Sequence, residues 1–149
     1  MKKFQFPLQA ILTLRGLKQE QALELYAKSV RSCADRRGEL IGATRRMENL
    51  EKLISEDGSA RFSASMRQAY MKALDEARDE TQKREKALEE AEKIKDKQLA
   101  EFLERKRQKE ILEHLREKQL KEHLAESYRK EEIEIEDLVI SRSGLAKTA

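Results

Sequence analysis

The chain has no tryptophan, one proline, one cysteine and five glycines in 149 residues, and aromatic residues make up only 5% of it. Each shortage excludes something. A lone cysteine, Cys33, has no internal disulfide partner, which excludes a disulfide-stapled scaffold and makes a reducing compartment the natural setting. So few bulky side chains leave a compact globular core undersupplied, so the buried surface is expected to be a narrow seam. Neither proline nor glycine occurs between Ser63 and Gly144, and a nucleated helix propagates readily until one of them interrupts it. No apolar run approaches the ~20 residues of a transmembrane helix. Charge of one sign is missing too. With 32 basic and 29 acidic residues the net charge is +3, without the concentrated basic excess of a dedicated nucleic-acid binder. The start, Met1-Lys2-Lys3 followed by Phe4, Phe6, Leu8 and Ile11, faintly imitates a signal peptide. Gln5, Pro7 and Gln9 break its apolar run, Arg15 closes it, and no small-x-small cleavage site follows, so a cytoplasmic protein is expected.

What is abundant is charge, at 41% of residues, together with Ala and Leu, the composition of long helices and coiled coils. Pro7 restricts Phe6 to extended geometry and suits a first helical position, so a first helix is expected over about 7–54. Within it Tyr26, Cys33, Leu40, Met47 and Ile54 lie seven apart and are all apolar, like a coiled-coil d row. A second row, Leu23, Val30, Arg37, Thr44 and Glu51, decays into polar residues. Gly16, Gly38 and Gly42 either weaken this helix by about 1 kcal/mol each relative to alanine or allow a partner helix to come close. Asp57-Gly58, with Ser55 and Ser59 beside it, marks a reversal over about 55–62. The second helix is expected over about 63–138. Ser65-Met66-Arg67-Gln68 has the pattern of a capping box, with Ser59 and Ser63 as alternative caps. Tyr70, Leu74, Ala77, Thr81, Arg84, Leu88 and Ala91 follow at alternating spacings of four and three. Farther on, Leu88 to Leu99 and Ala91 to Phe102 are eleven apart, which relaxes left-handed supercoiling. Ile133-Glu134-Ile135-Glu136 alternates like a strand but has no partner strand, so it reads as a fraying helix end, and residues 141–149 read as a disordered tail.

These elements make an all-α fold, an antiparallel helical hairpin of unequal arms, roughly 70 Å and roughly 110 Å at 1.5 Å per residue. The longer arm is expected to overhang the start of the shorter. Leu112, Leu115, Leu120 and Leu124 would then have little cover and would form a docking surface.

Catalysis has no foothold in this pattern. General acid–base chemistry needs positioned, desolvated groups, whereas carboxylates on two paired helices mostly face water. His114 and His123 are nine apart, which is not the spacing of metal ligands on one helical face. No glycine-rich phosphate loop occurs, so neither a cofactor nor a small-molecule substrate is expected. Arg105-Lys106-Arg107-Gln108-Lys109 is a basic cluster, but Glu101, Glu104 and Glu110 intersperse it and favour a solvated helix face over nucleic-acid contact. Tyr70 and Leu74, one turn apart just past the reversal, read either as seam residues or as an aromatic–aliphatic anchor for a partner.

The opening segment Phe4-Gln5-Phe6-Pro7-Leu8-Gln9-Ala10-Ile11-Leu12-Thr13-Leu14-Arg15 resembles that of the flagellar FliJ family, which begins F-x-F-x-L followed by a short apolar stretch and Arg. Length, two charged helices, one reversal and an aromatic residue early in the second helix agree with it. The resemblance implies a non-catalytic coiled-coil component of flagellar type III protein export, similar in fold to the two-helix stalk of the rotary ATP synthase gamma subunit. It implies contact with the hexameric export ATPase through the terminal segments, here Phe4, Phe6, Leu8, Leu12, Leu112, Leu115, Leu120 and Leu124. It also implies contact with the export-gate membrane protein FlhA through Tyr70 and Leu74, with Ala77 following. Tyr70 stands where family members often have phenylalanine. Export chaperones are further candidate partners, and peripheral association with the inner-membrane export apparatus at the flagellar base is the implied location. Two other readings stay open: a self-associating structural coiled coil, and the equivalent stalk of a virulence type III secretion system.

Overall fold

The computed structural model describes residues 2–56 and 63–148. They form two helices, α1 over Gln9–Glu56 and α2 over Ala64–Thr148. The expected reversal at Asp57-Gly58 lies outside the described residues. Segments of both helices belong to each of two compact units, one of residues 1–19 with 104–149 and one of residues 20–103.

Local chemistry sets the helix ends. The Gln9 amide donates to the Phe6 carbonyl at 3.1 Å and the Leu12 amide to the Leu8 carbonyl at 2.9 Å. Pro7 therefore sits in the entry turn, where a missing N–H is no loss. At the start of α2 the Met66 amide donates to Ser63 Oγ at 3.3 Å and the Arg67 amide to the Ser63 carbonyl at 3.0 Å. Ser63 is thus the N-cap. The box expected from Ser65 is displaced by two residues, and Met66 stands where a reciprocal Glu or Gln would be. At its far end α2 runs to Thr148, ten residues beyond the expected stop near 138 and through most of the segment expected as a tail. The lone Gly144 disfavours helix by only about 1 kcal/mol.

In the unit of residues 20–103 the helices pack antiparallel. Glu51 pairs with Arg78 at 3.5 Å, Glu39 with Arg84 at 2.8 Å and Arg37 with Glu92 at 3.5 Å, so the numbering falls on α1 as it rises on α2. The expected d row, Tyr26, Cys33, Leu40, Met47 and Ile54, is buried or half-buried throughout. Its companion is not the row through Leu23 and Val30, which are 46% and 40% exposed. The companion lies one residue earlier, at Ala22, Ser29 and Ala43, all buried, and half-buried Leu50. Small side chains there leave room for the α2 row of Tyr70, Leu74, Ala77, Thr81, Leu88 and Ala91, every one of them buried or half-buried. The seam's hydroxyls satisfy themselves one turn back. Ser29 Oγ donates to the Tyr26 carbonyl at 2.6 Å and Thr81 Oγ1 to the Ala77 carbonyl at 2.9 Å. Among the described residues no buried side-chain polar atom lacks a partner. Arg84 bridges Glu80 on its own helix and Glu39 across the seam, both at 2.8 Å. The Glu80 hydrogen bond first, and then the Glu39 charge, raise its pKa. Exposed pairs of this kind add little stability; they fix the register of an otherwise repetitive seam.

Gly38 and Gly42 do not serve close approach. A Cβ built on either meets nothing within 4 Å, and among the described residues no glycine has positive φ. Of the two sequence readings, the one in which they simply weaken the helix holds.

Candidate docking surfaces

In the unit of residues 1–19 and 104–149, the extended segment before α1 lies along α2. Phe6 is 7% exposed and Phe4 is half-buried. The Phe4 ring stands 5.6 Å from the His123 ring at an interplanar angle of 50°, and the Arg116 guanidinium lies 6.0 Å from the same ring, within reach of a cation–π attraction. His123 Nε2 is 3.1 Å from the Lys2 carbonyl. Since a carbonyl only accepts, His123 is the donor. Farther along, Arg15 donates to the Gln108 carbonyl at 2.8 Å. Leu8 and Leu12 are half-buried, facing the same way.

This segment changes which leucines of α2 are covered. Leu112 is 6% exposed, Leu115 and Leu120 are half-buried, and only Leu124 of the four expected overhang residues is exposed, at 45%. The expectation that all four lack cover is therefore corrected. It counted helix against helix, whereas six extended residues span about 20 Å and carry the cover as far as His123. The open apolar surface lies beyond it, at Tyr128, Ile133, Ile135, Leu138, Val139 and Ile140, each between 54% and 68% exposed. The sequence signal was the stretch Ile133-Glu134-Ile135-Glu136, whose strand-like alternation obscured it. Five carboxylates, Glu131, Glu132, Glu134, Glu136 and Asp137, crowd the same stretch.

In the other unit, the three residues singled out at the start of α2 share one face. Tyr70 and Ala77 are half-buried, and Leu74 is 4% exposed beneath α1. Leu74 is thus a seam residue as the chain stands. The more exposed apolar side chains beside it are Met66 and Met71, at 46% and 43%. Sequence reasoning passed over both, because the regular four–three spacing drew attention to the seam row rather than its neighbours.

The basic cluster is tied down locally. Arg107 pairs with Glu104 at 3.3 Å and Lys109 with Glu113 at 3.4 Å, while Gln108 Nε2 donates to Glu104 at 3.3 Å. Such pairing favours the solvated-face reading. Among the described residues no three His, Cys, Asp or Glu side chains gather as a metal site would require, and no helix is long and apolar enough to cross a membrane.

A family model described as flagellar FliJ protein matches residues 4–144. A solved structure from Chlamydia trachomatis, of the protein CT670 described as a YscO homologue, superposes with a TM-score of 0.73, covering 99% of each chain at 19% sequence identity. At that identity the likeness speaks to the fold. No curated protein matches the chain.

Proposed function

This chain belongs to the FliJ family of flagellar type III protein export components, and on that premise we propose that it is a non-catalytic coupling element between the export ATPase ring and the export gate. The observation that carries the proposal is that its accessible apolar surfaces fall in different units. One, of Met66, Met71 and the half-buried Tyr70, belongs to the unit of residues 20–103. The other, beyond His123 on α2 together with the N-terminal segment, belongs to the other unit. A protein that binds two partners through different units can pass the state of one to the other without a reaction centre of its own.

In this reading Tyr70 makes the gate contact, Met66 and Met71 widen it, and Leu74 with Ala77 holds the ring from beneath. The N-terminal motif Phe4, Phe6, Leu8 and Leu12 acts on the ATPase side indirectly, by holding its segment on Leu112, Leu115 and Leu120 so that Leu124 and the α2 end beyond are presented. The protein would work at the cytoplasmic face of the inner membrane, held there by the gate, with export chaperones as further candidate partners. The virulence-system reading shares the fold; the family match favours the flagellar one.

The test separates contact from support. Met66→Ser with Met71→Ser should reduce capture of the FlhA cytoplasmic domain and swarming motility while leaving helicity and the urea midpoint unchanged, and Tyr70→Ala should reduce both with a smaller fall in the midpoint than Leu74→Ala, because its ring is only half-buried in the seam. Leu74→Ala should lower the urea midpoint, because it opens a cavity in the seam. Full gate binding by both surface variants would refute the assignment.

A further inference from the structure

The exposed end of α2 carries a stripe that reads the same from either direction. Tyr128, Glu131, Ile135, Leu138, Arg142 and Leu145 are spaced three, four, three, four and three. The stripe prolongs the covered face of the helix. Leu120, His123, Ser127 and Glu131 are half-buried along it, and Ile135 and Leu138 follow at the next turns, 60% and 62% exposed. The chain's own cover reaches the helix at His123, where Lys2 meets it.

From this we propose that the stripe is filled by a second copy of the chain, running antiparallel about a two-fold axis between residues 136 and 137. In antiparallel coiled coils the a positions of one helix lie opposite d positions of the other. The axis sets Ile135 against Leu138 of the second copy at the centre and Glu131 against Arg142 on each side, with Tyr128 against Leu145 outermost. The match is one of shape and of charge. Apolar residues meet at the axis, and the two polar positions of the stripe, which would repel their own kind, meet opposites twice. Neither Glu131 nor Arg142 forms an ion pair among the described residues. A parallel pair would set Glu131 on Glu131 and Arg142 on Arg142, so the sequence itself selects the antiparallel arrangement. Such an isologous contact closes on itself and stops at two copies. The second copy and the ATPase would compete for this end of α2, and the dimer can be tested with neither the gate nor the ATPase present.

The test is sedimentation equilibrium of the purified full chain at ~50 mM salt, over protein concentrations from about 1 to about 500 µM. The expected result is a monomer of 17.4 kDa giving way to twice that mass as concentration rises. Glu131→Arg and Arg142→Glu should each weaken the dimer about tenfold or more, since two attractive pairs become repulsive, and the double reversal should restore it. All three positions of failure are decisive: a monomer throughout, a dimer indifferent to the single reversals, or a double reversal no better than the singles would overturn the proposal. Circular dichroism of each variant guards against loss of folding, which these surface substitutions should not cause.

Discussion

Replacing Gly38 and Gly42 with alanine should stabilise the protein. Both lie inside α1, one turn apart, and a Cβ added at either meets no atom within 4 Å. The substitution therefore introduces no clash, and its effect is that of helix propensity, about 0.8–1.0 kcal/mol per site through reduced freedom of the unfolded chain. The pair together should contribute about 2 kcal/mol. For a chain of this size each kcal/mol raises the melting temperature by about 2–4 °C, so the double variant should melt about 4–8 °C higher. Circular dichroism at 222 nm during thermal and urea unfolding reads this directly, with the single variants as checks on additivity. An unchanged or lowered midpoint would show that α2 approaches α1 more closely than described, or that the backbone needs a glycine there, and would refute the reasoning. Should the double variant be more stable yet fail to support motility, the glycines would be serving flexibility in operation instead of folding.

Two further outcomes follow from the ends of the helices. Ser63→Ala removes the side chain that accepts from the Met66 amide and should cost about 1 kcal/mol, whereas Ser65→Ala should be nearly neutral; urea midpoints distinguish the two, and equal losses would sink the cap assignment. Phe6→Ala empties a site that is 7% exposed and should release the N-terminal segment from α2. Amide exchange at residues 8–12 should then accelerate by tenfold or more while exchange in the unit of residues 20–103 is unaffected.

The α2 row from Tyr70 to Ala91 and the d row from Tyr26 to Ile54 were legible in the sequence because the first runs in unbroken four–three steps and the second recurs every seven residues. The row beside the d row was not. Starting from Tyr26, steps to Ala22 and Ser29 and steps to Leu23 and Val30 are equally good coiled-coil spacings, on opposite sides of the same row. Hydrophobicity favours Leu23 and Val30, and the structure uses Ala22 and Ser29. The deciding quantity, the space left by side chains arriving from α2, exists only once the two helices meet. Leu74 stood out as a docking residue by its spacing, and that same spacing places it in the seam, where it is 4% exposed.

The sequence by itself determined that there are two helices, where the first begins, and that they meet along a narrow seam, because helix continuity and periodicity depend on residues a few positions apart. Only the tertiary structure decided which side of the Tyr26–Ile54 row is buried and how far the N-terminal segment covers the leucines of α2. Each of those outcomes rests on contacts between groups distant in the chain, such as Lys2 with His123 and Arg15 with Gln108, and no local spacing encodes the distance between them.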